Sequence, residues 1–417
     1  MKTDWEKTIL SKKVLINPNR NLPRGTNSIY VSMQDLETNR RDINTFERRE
    51  FKGSGSKFKN GDTLIARITP CLENGKTAFV DFLKEEETAH GSTEFIVLSN
   101  IVNVSDNLFI YYLARNPEFR AYAISHMEGS SGRQRVPSVS ISRYEICLPP
   151  LSEQRAIAHI LGSLDDKIEL NRQMNETLEE MARTIFKSWF VDFDPVFAKA
   201  EGRDPGLPPD IATLFQDSFE NSELGKIPKG WRIFTIDKIC EFSYGKPLKA
   251  NDRILGNIPV FGSNGQIGFH NTSIVRGPGI IIGRKGNPGI VTWSESDFYP
   301  IDTAFYITLK QYVTSMPYFF YALERLNLPS LSADSAVPGL NRNVAYMSKI
   351  LIPDERILFE FCNHIRTIYK TIDENKKESN LLIELRDYLL PKLISGEIRV
   401  PDVNKFIKEN STCPPLD

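Results

Sequence analysis

The sequence predicts an α+β protein with two mixed α/β domains, each followed by a long helix, and with the two helices able to pair as a coiled coil. Three observations predict this. First, segments 146–190 and 350–394 repeat each other at a constant offset of 204 without a gap. Ile146 matches Ile350, Pro149 matches Pro353, Ile168 matches Ile372, Asn171 matches Asn375, Leu178 matches Leu382 and Met181 matches Leu385. A repeat of this length organises the rest of the reading. Second, both copies open with a short apolar run ending in proline and continue with helical periodicity in strong helix formers. Third, each copy follows a stretch of short β-branched and aromatic runs broken by Gly, Asn and Pro, the pattern of a mixed sheet with long loops.

Taken in order, residues 1–148 form the first domain, 149–191 the first long helix, 192–225 an acidic connector, 226–352 the second domain, 353–397 the second long helix and 398–417 a tail. In the first helix the residues seven apart are Ile157, Leu164, Asn171, Leu178 and Ile185. In the second they are Phe361, Ile368, Asn375, Leu382 and Leu389. Leu161, Ile168 and Trp189, with Ile365 and Ile372, complete each stripe. One polar residue in an apolar seam can set register at some cost in stability, so the two asparagines are expected to meet. The spacing fits a parallel pair and an antiparallel pair, in which position x faces roughly 546 − x. It also fits two amphipathic helices packed separately on their own domains. The domains repeat more weakly: Leu64-Ile65-Ala66-Arg67 resembles Ile281-Ile282-Gly283-Arg284, Thr93-Glu94-Phe95 resembles Thr303-Ala304-Phe305, and Val136-Pro137 resembles Val337-Pro338.

Composition narrows the function. The chain has 417 residues, 40% hydrophobic and 25% charged, which is ordinary for a globular protein of two or three domains. Its longest apolar runs are a few residues, far short of the roughly 20 that span a bilayer, and its N-terminus is polar. The expectation is a cytoplasmic protein with no membrane partner. Five scattered cysteines without a C-x-x-C pair and five dispersed histidines suggest neither a disulfide framework nor a metal site. Net charge is −1, but by segment it runs +3, −2, −6, +6 and −2 over 1–148, 149–191, 192–225, 226–352 and 353–417. Two basic modules on less basic scaffolding suit a polyanion ligand.

Catalytic motifs fit poorly. Gly283-Arg284-Lys285-Gly286-Asn287-Pro288-Gly289 lacks the order of a phosphate-binding loop. Asp42 with Glu50-Phe51-Lys52 matches a loose nuclease pattern of the kind that chance produces in a charged chain. Asp194-Pro195-Val196-Phe197 approaches an adenine methyltransferase turn but lacks its second proline, and Asp194 reads as a turn residue. What remains is recognition surface. In the first domain it comprises Arg67, Asn74 and Lys76 after a strand, and Arg133, Gln134 and Arg135 in a Gly-rich loop. In the second it comprises Ser263, Asn264 and Gln266, then Arg284, Lys285 and Asn287, then Asn341 and Arg342. Such side chains contact phosphates and make the bidentate base-edge contacts that distinguish G and A.

Leu148-Pro149-Pro150-Leu151-Ser152-Glu153-Gln154-Arg155-Ala156-Ile157, Trp189-Phe190-Val191-Asp192-Phe193-Asp194-Pro195-Val196, Ser222-Glu223-Leu224-Gly225-Lys226-Ile227-Pro228-Lys229-Gly230-Trp231 and Pro259-Val260-Phe261-Gly262-Ser263-Asn264-Gly265 together resemble the specificity subunits of type I restriction-modification systems, over nearly the whole chain. The resemblance implies two target recognition domains, each reading half of a split sequence in double-stranded DNA, and an antiparallel coiled coil that sets the gap. A helix of about 35 to 40 residues spans about 55 Å, enough to hold two modules near one DNA turn apart. The resemblance also implies two methyltransferase subunits and restriction subunits as partners, with S-adenosylmethionine and ATP with magnesium used by those partners and no cofactor or catalytic centre in this chain. The match departs in two places: Pro353-Asp354-Glu355-Arg356 replaces the Pro-Leu-Ser-Glu-Gln-Arg run, and the first domain starts at Trp5 without a counterpart of 223–230.

Overall fold

A computed structural model describes residues 5–310, 315–333 and 339–400. The chain divides into two units: Met1–Asn171 with Lys377–Asp417, and Arg172–Lys376.

Each unit contains a two-sheet domain built on the same plan. In the first, an antiparallel sheet runs in the order Val14–Ile16, Phe95–Asn100, Thr63–Ala66, Thr77–Phe79. A second sheet runs Glu47–Glu50, Asn27–Val31, Ala89–Gly91, Ser56–Phe58, with a parallel pairing between 27–31 and 89–91. In the second unit the corresponding orders are Cys240–Tyr244, Ala304–Leu309, Gly279–Gly283, Val291–Ser294, and Gly265–His270, Ile258–Gly262, Tyr299–Pro300.

Strand periodicity explains why the central strands are continuously apolar. Successive side chains point to opposite faces, and here both faces are covered. Ile65, Ile96 and Leu98 join the core beneath the helix Asn107–Arg115, whereas Leu64, Phe95 and Val97 join the core between the sheets. In the second unit Ile280, Ile282, Phe305 and Ile307 lie on the side of the helix Met316–Arg325, and Ile281 and Ala304 on the other.

The structural register refines the weak repeat. Ala66 pairs with Phe95 and Gly283 with Ala304, so Phe95 stands where Ala304 does, one place from the Phe95–Phe305 match in sequence. Val136 N–H donates to Arg67 O and Leu340 N–H donates to Arg284 O, which makes Leu340 the counterpart of Val136. The Val337-Pro338 match lies outside the described residues, as do 401–417 of the tail.

A two-stranded antiparallel clamp joins the start of each domain to its end: Glu6–Ile9 with Glu145–Leu148, and Arg232–Thr235 with Lys349–Ile352. Trp5 and Trp231 precede the two clamps at equivalent places. The indole of Trp5 donates to Glu153 (3.1 Å) and that of Trp231 to Gln216 (3.0 Å). The first domain, abrupt in its start by sequence, therefore has the same entry residue as the second. Segment 192–225, expected as a connector, instead forms the short helix Asp194–Ala200 and the hairpin Phe219–Ser222 with Gly225–Pro228. It also contributes Val196, Ile211 and Phe215 to the core of the second unit. Its acidic residues are surface residues on a folded segment.

Prolines 149, 150 and 353 end the clamps, and the long helices Leu151–Phe190 and Glu355–Ser395 follow. They pair antiparallel. In the first unit Asp165 meets Arg386 (2.7 Å) and Asn171 donates to Glu378 (2.7 Å) and Ser379 (3.3 Å). In the second unit Asn375 donates to Asn175 (2.9 Å) and Phe361 packs on Phe186 and Trp189. Residues facing each other are displaced by about one turn from the 546 − x register. The ten expected seam residues are all buried or half-buried.

A deeply buried ion pair lies in the first unit. Arg386 is 1% exposed and Asp165 5%, and Tyr112 of the helix 107–115 donates to the same carboxylate (2.7 Å). Burial and then the charge of Asp165 push the Tyr112 hydroxyl well up, so it remains a donor. Breaking a buried ion pair by removing one partner strands the other charge. Arg386→Ala is expected to destabilise the first unit by about 3 to 5 kcal/mol, read from the denaturant midpoint of its transition. The double variant Asp165→Ala/Arg386→Ala should lose less than the sum of the singles.

Candidate nucleic-acid interface

Several of the expected recognition residues lie at the ends of the central strands, whereas Gln266 lines a separate cleft with Arg183, Trp293 and Tyr369. In the second domain, strand 279–283 runs out into Arg284. The N–H groups of Arg284 and Lys285 donate to Thr303 O (2.9 and 3.2 Å), and the Leu340 N–H returns to Arg284 O (2.9 Å). Three loops meet there, and Gly283 permits it: a Cβ at this position would lie 2.1 Å from Asn287 O and 2.5 Å from Ser263 O. The backbone contacts therefore bring Ser263, Arg284 and Asn287 into one cluster, with the start of the 339–342 segment beside it. Asn264 stands exposed in the turn between strands 258–262 and 265–270, and Gln266, Lys285 and Asn287 are also exposed.

Tyr244 is the group that sequence reasoning missed. It is 51% exposed at the end of strand 240–244, with the guanidinium carbons of Arg284 and Arg342 at 4.7 and 5.3 Å from its ring centroid. Arg284 also donates to Asp302 O (3.0 Å), and Arg342 lies 5.7 Å from the ring of Tyr346. An aromatic face flanked by two guanidinium groups can orient both cations, an arrangement chemically suited to an anionic ligand. Asn341 is engaged within the fold. Its side-chain oxygen accepts from the N–H groups of Asn343 and Val344, capping the helix Arg342–Tyr346.

The first domain repeats the backbone plan with different side chains. Arg67 N–H donates to Glu94 O and Arg67 O accepts from Val136 N–H, both at 2.9 Å. Thr69 and Gln134 exchange hydrogen bonds (3.0 and 3.1 Å), so the 129–135 loop is fastened beside the end of the strand. Arg135 grips Glu94 bidentately at 2.7 to 2.9 Å, a pairing that raises its pKa further. Arg133 is exposed at the loop tip. Asn74 is exposed as well, and Lys76 donates to Met33 O (2.8 Å).

A second cationic feature lies on the other sheet of this domain. Arg49 sits 4.2 Å over the ring of Tyr30, whose neighbour His90 is 5.1 Å away, and Lys52 lines the same open cleft. Burial first, and then Arg49, hold the His90 imidazole below its ordinary pKa, and its Nδ1 is 2.9 Å from the Ser28 hydroxyl. The charged run 47–52 was the available signal, but it suggested a nuclease pattern. In the structure Asp42 pairs with Arg41 (2.7 Å), and Glu50 is exposed on the edge strand opposite Asn27. Asp194 opens a short helix after Phe193, which has φ 57°.

Among the described residues no group of three or more His, Cys, Asp or Glu side chains is placed to hold a metal ion, and no helix is long and apolar enough to cross a membrane. The model of the type I restriction modification DNA specificity domain matches residues 9–180 and 228–377. The chain is 27% identical, over 84% of its length, to the HindI specificity subunit of Haemophilus influenzae and covers 89% of that protein. It is 25% identical, over 71% of its length, to the MjaIX specificity subunit of Methanocaldococcus jannaschii and covers 70% of it. The crystal structure of the type I restriction-modification S subunit from M. genitalium shares the fold, with a TM-score of 0.58 and 18% identity over 94% of this chain and 96% of that one. A duplicated domain, a duplicated helix and a family match in both halves place this chain among the specificity subunits of type I restriction-modification systems, with two target recognition domains.

Proposed function

We propose that the chain binds a bipartite, asymmetric sequence in double-stranded DNA, that each target recognition domain reads one half-site, and that the chain has no catalysis of its own. The observation that carries this reading is the pair of loop clusters. Both are fastened by the same backbone hydrogen bonds, at Arg67 and at Arg284, yet they present different side chains: Arg133 and Asn74 in one, Tyr244, Arg284, Arg342 and Asn264 in the other. A common frame with unlike surfaces suits recognition of two unlike half-sites. Phosphate contacts supply affinity, and base contacts from the same loops supply specificity.

The long helices are the second part of the proposal: they set the separation of the half-sites and carry the partners. Their outer faces expose apolar side chains, Leu170, Leu381, Leu385 and Tyr388 in the first unit and Met174 and Met181 in the second. Exposed apolar residues at helical spacing suit helices of partner subunits. The partners would be two methyltransferase subunits, which use S-adenosylmethionine and take the target adenine out of the duplex, and restriction subunits, which use ATP with magnesium.

Two outcomes test the reading, both from the methylated motif produced by the chain in complex with its methyltransferase subunit. Arg284→Ala or Asn264→Ala should relax recognition in one half-site only, by about 1 to 3 kcal/mol for a lost bidentate contact; equal changes in both halves contradict the modular reading. Removing seven residues from the middle of each long helix shortens each by about 10 Å, so the gap in the motif should shrink by roughly three base pairs while both half-sites stay the same.

A further inference from the structure

The 204-residue repeat makes the two halves of the chain near-copies, so the helix of either half has two possible partners: the unlike half, or the like half of a second copy. The buried residues of the seam distinguish them. Through the repeat, Asp165 corresponds to Tyr369 and Arg386 to Ala182. In the first unit the facing pair is Asp165 with Arg386, and Tyr112 donates to the carboxylate. In the second unit Ala182 and Tyr369 stand at the corresponding level. The Asn175–Asn375 hydrogen bond lies on one side of them and the Trp189–Phe361 ring contact on the other, and both residues are buried in the core. There Tyr321, the counterpart of Tyr112, bonds hydroxyl to hydroxyl with Tyr369 (2.8 Å), and Trp293 stacks on that ring. One crossing level is therefore ionic in one unit and neutral in the other.

A pair of like halves cannot satisfy this pattern. Two N-terminal halves would each set Asp165 against Ala182, so each buried carboxylate would keep its Tyr112 donor but lose the guanidinium that it meets across the seam. Two C-terminal halves would each set Arg386 against Tyr369, so each buried guanidinium would keep the exposed Asp387 of its own helix (2.8 Å) but lose its buried acceptor. The same asymmetry recurs near the helix ends, where Arg399 grips Glu153 at 2.7 and 2.8 Å, whereas the corresponding residues of the second unit are buried Pro195 and Ile357. Stranding a buried charge is far costlier than forgoing the pair altogether, and this is how a polar residue in a coiled coil selects a partner. We propose that Asp165 and Arg386 form a pairing code by which each half of this chain accepts its unlike half and rejects the like half of a second copy. Like pairs would carry two copies of one recognition domain. That consequence depends on the function proposed above, whereas the pairing itself does not.

The test uses the full chain with a protease site inserted in the exposed 201–206 loop, cut after folding. Nicked protein is dissociated in denaturant and refolded, and the pairs are counted by native mass spectrometry. Unlike pairs should exceed like pairs by about a hundredfold or more. Asp165→Tyr should admit pairs of N-terminal halves and Arg386→Ala pairs of C-terminal halves, because each recreates the neutral level of the second unit. With both changes, and with Glu153→Gln and Arg399→Gln to remove the second ion pair, like pairs should approach half of all pairs. Should that variant not refold, Asp165→Asn with Arg386→Met removes the same charges and should also admit like pairs. Wild-type halves pairing without preference, or refolded neutral variants that still pair only with the unlike half, would overturn the proposal.

Discussion

The antiparallel clamp between the first and last strands of each domain is the constraint on which the rest of the structure depends. Because 6–9 pairs with 145–148 and 232–235 with 349–352, each domain closes on itself immediately before its helix begins. The prolines that follow cannot continue the strand ladder and suit a helix start, so the change from sheet to helix is abrupt. The helices 107–115 and 316–325 then pack against both their own sheet and the long helices, and the loop clusters form at the ends of the central strands. A recognition surface built this way is carried by a sheet whose central strands are buried on both faces. Its geometry does not depend on the loops alone.

The long helices have a different logic. Apolar residues supply the burial, but Leu, Ile and Phe along a seam specify neither partner nor register. Polar contacts supply that information: Asn171 with Glu378 and Ser379, Asn375 with Asn175, and Asp165 with Arg386 and Tyr112. The last of these also ties the first recognition domain to both helices through one carboxylate. In the second unit the equivalent tie is a pair of tyrosine hydroxyls beneath Trp293. Two domains of one ancestry are thus fixed to their helices by unlike chemistry.

Much of this was legible in the sequence. Proline-flanked apolar runs and a gapless repeat marked both helices, whose ends fall within two residues of expectation. The weak domain repeat pointed to the right strands but slipped by one at Phe95 and Phe305, because two phenylalanines that look alike face different cores. Asp165 and Arg386 could not be read as core residues, since a lone charge on a helix is normally solvated and its partner lies in the other helix. Tyr244 was missed for a related reason: its significance comes from Arg284 and Arg342, which folding brings to it. Conversely, Lys76 and Asn341 have the right chemistry for DNA but are engaged by a carbonyl and a helix N-terminus. Side-chain type alone does not separate a ligand contact from a structural one.

In the proposed function this chain supplies the sequence specificity of a methyltransferase that lacks it. The most direct measurement is single-molecule mapping of methylated DNA from cells expressing a type I methyltransferase subunit of the same system, with and without this chain. The expected result is a split, asymmetric motif with a fixed gap, methylated only when the chain is present. An unsplit motif, or the same methylation in its absence, would contradict that function.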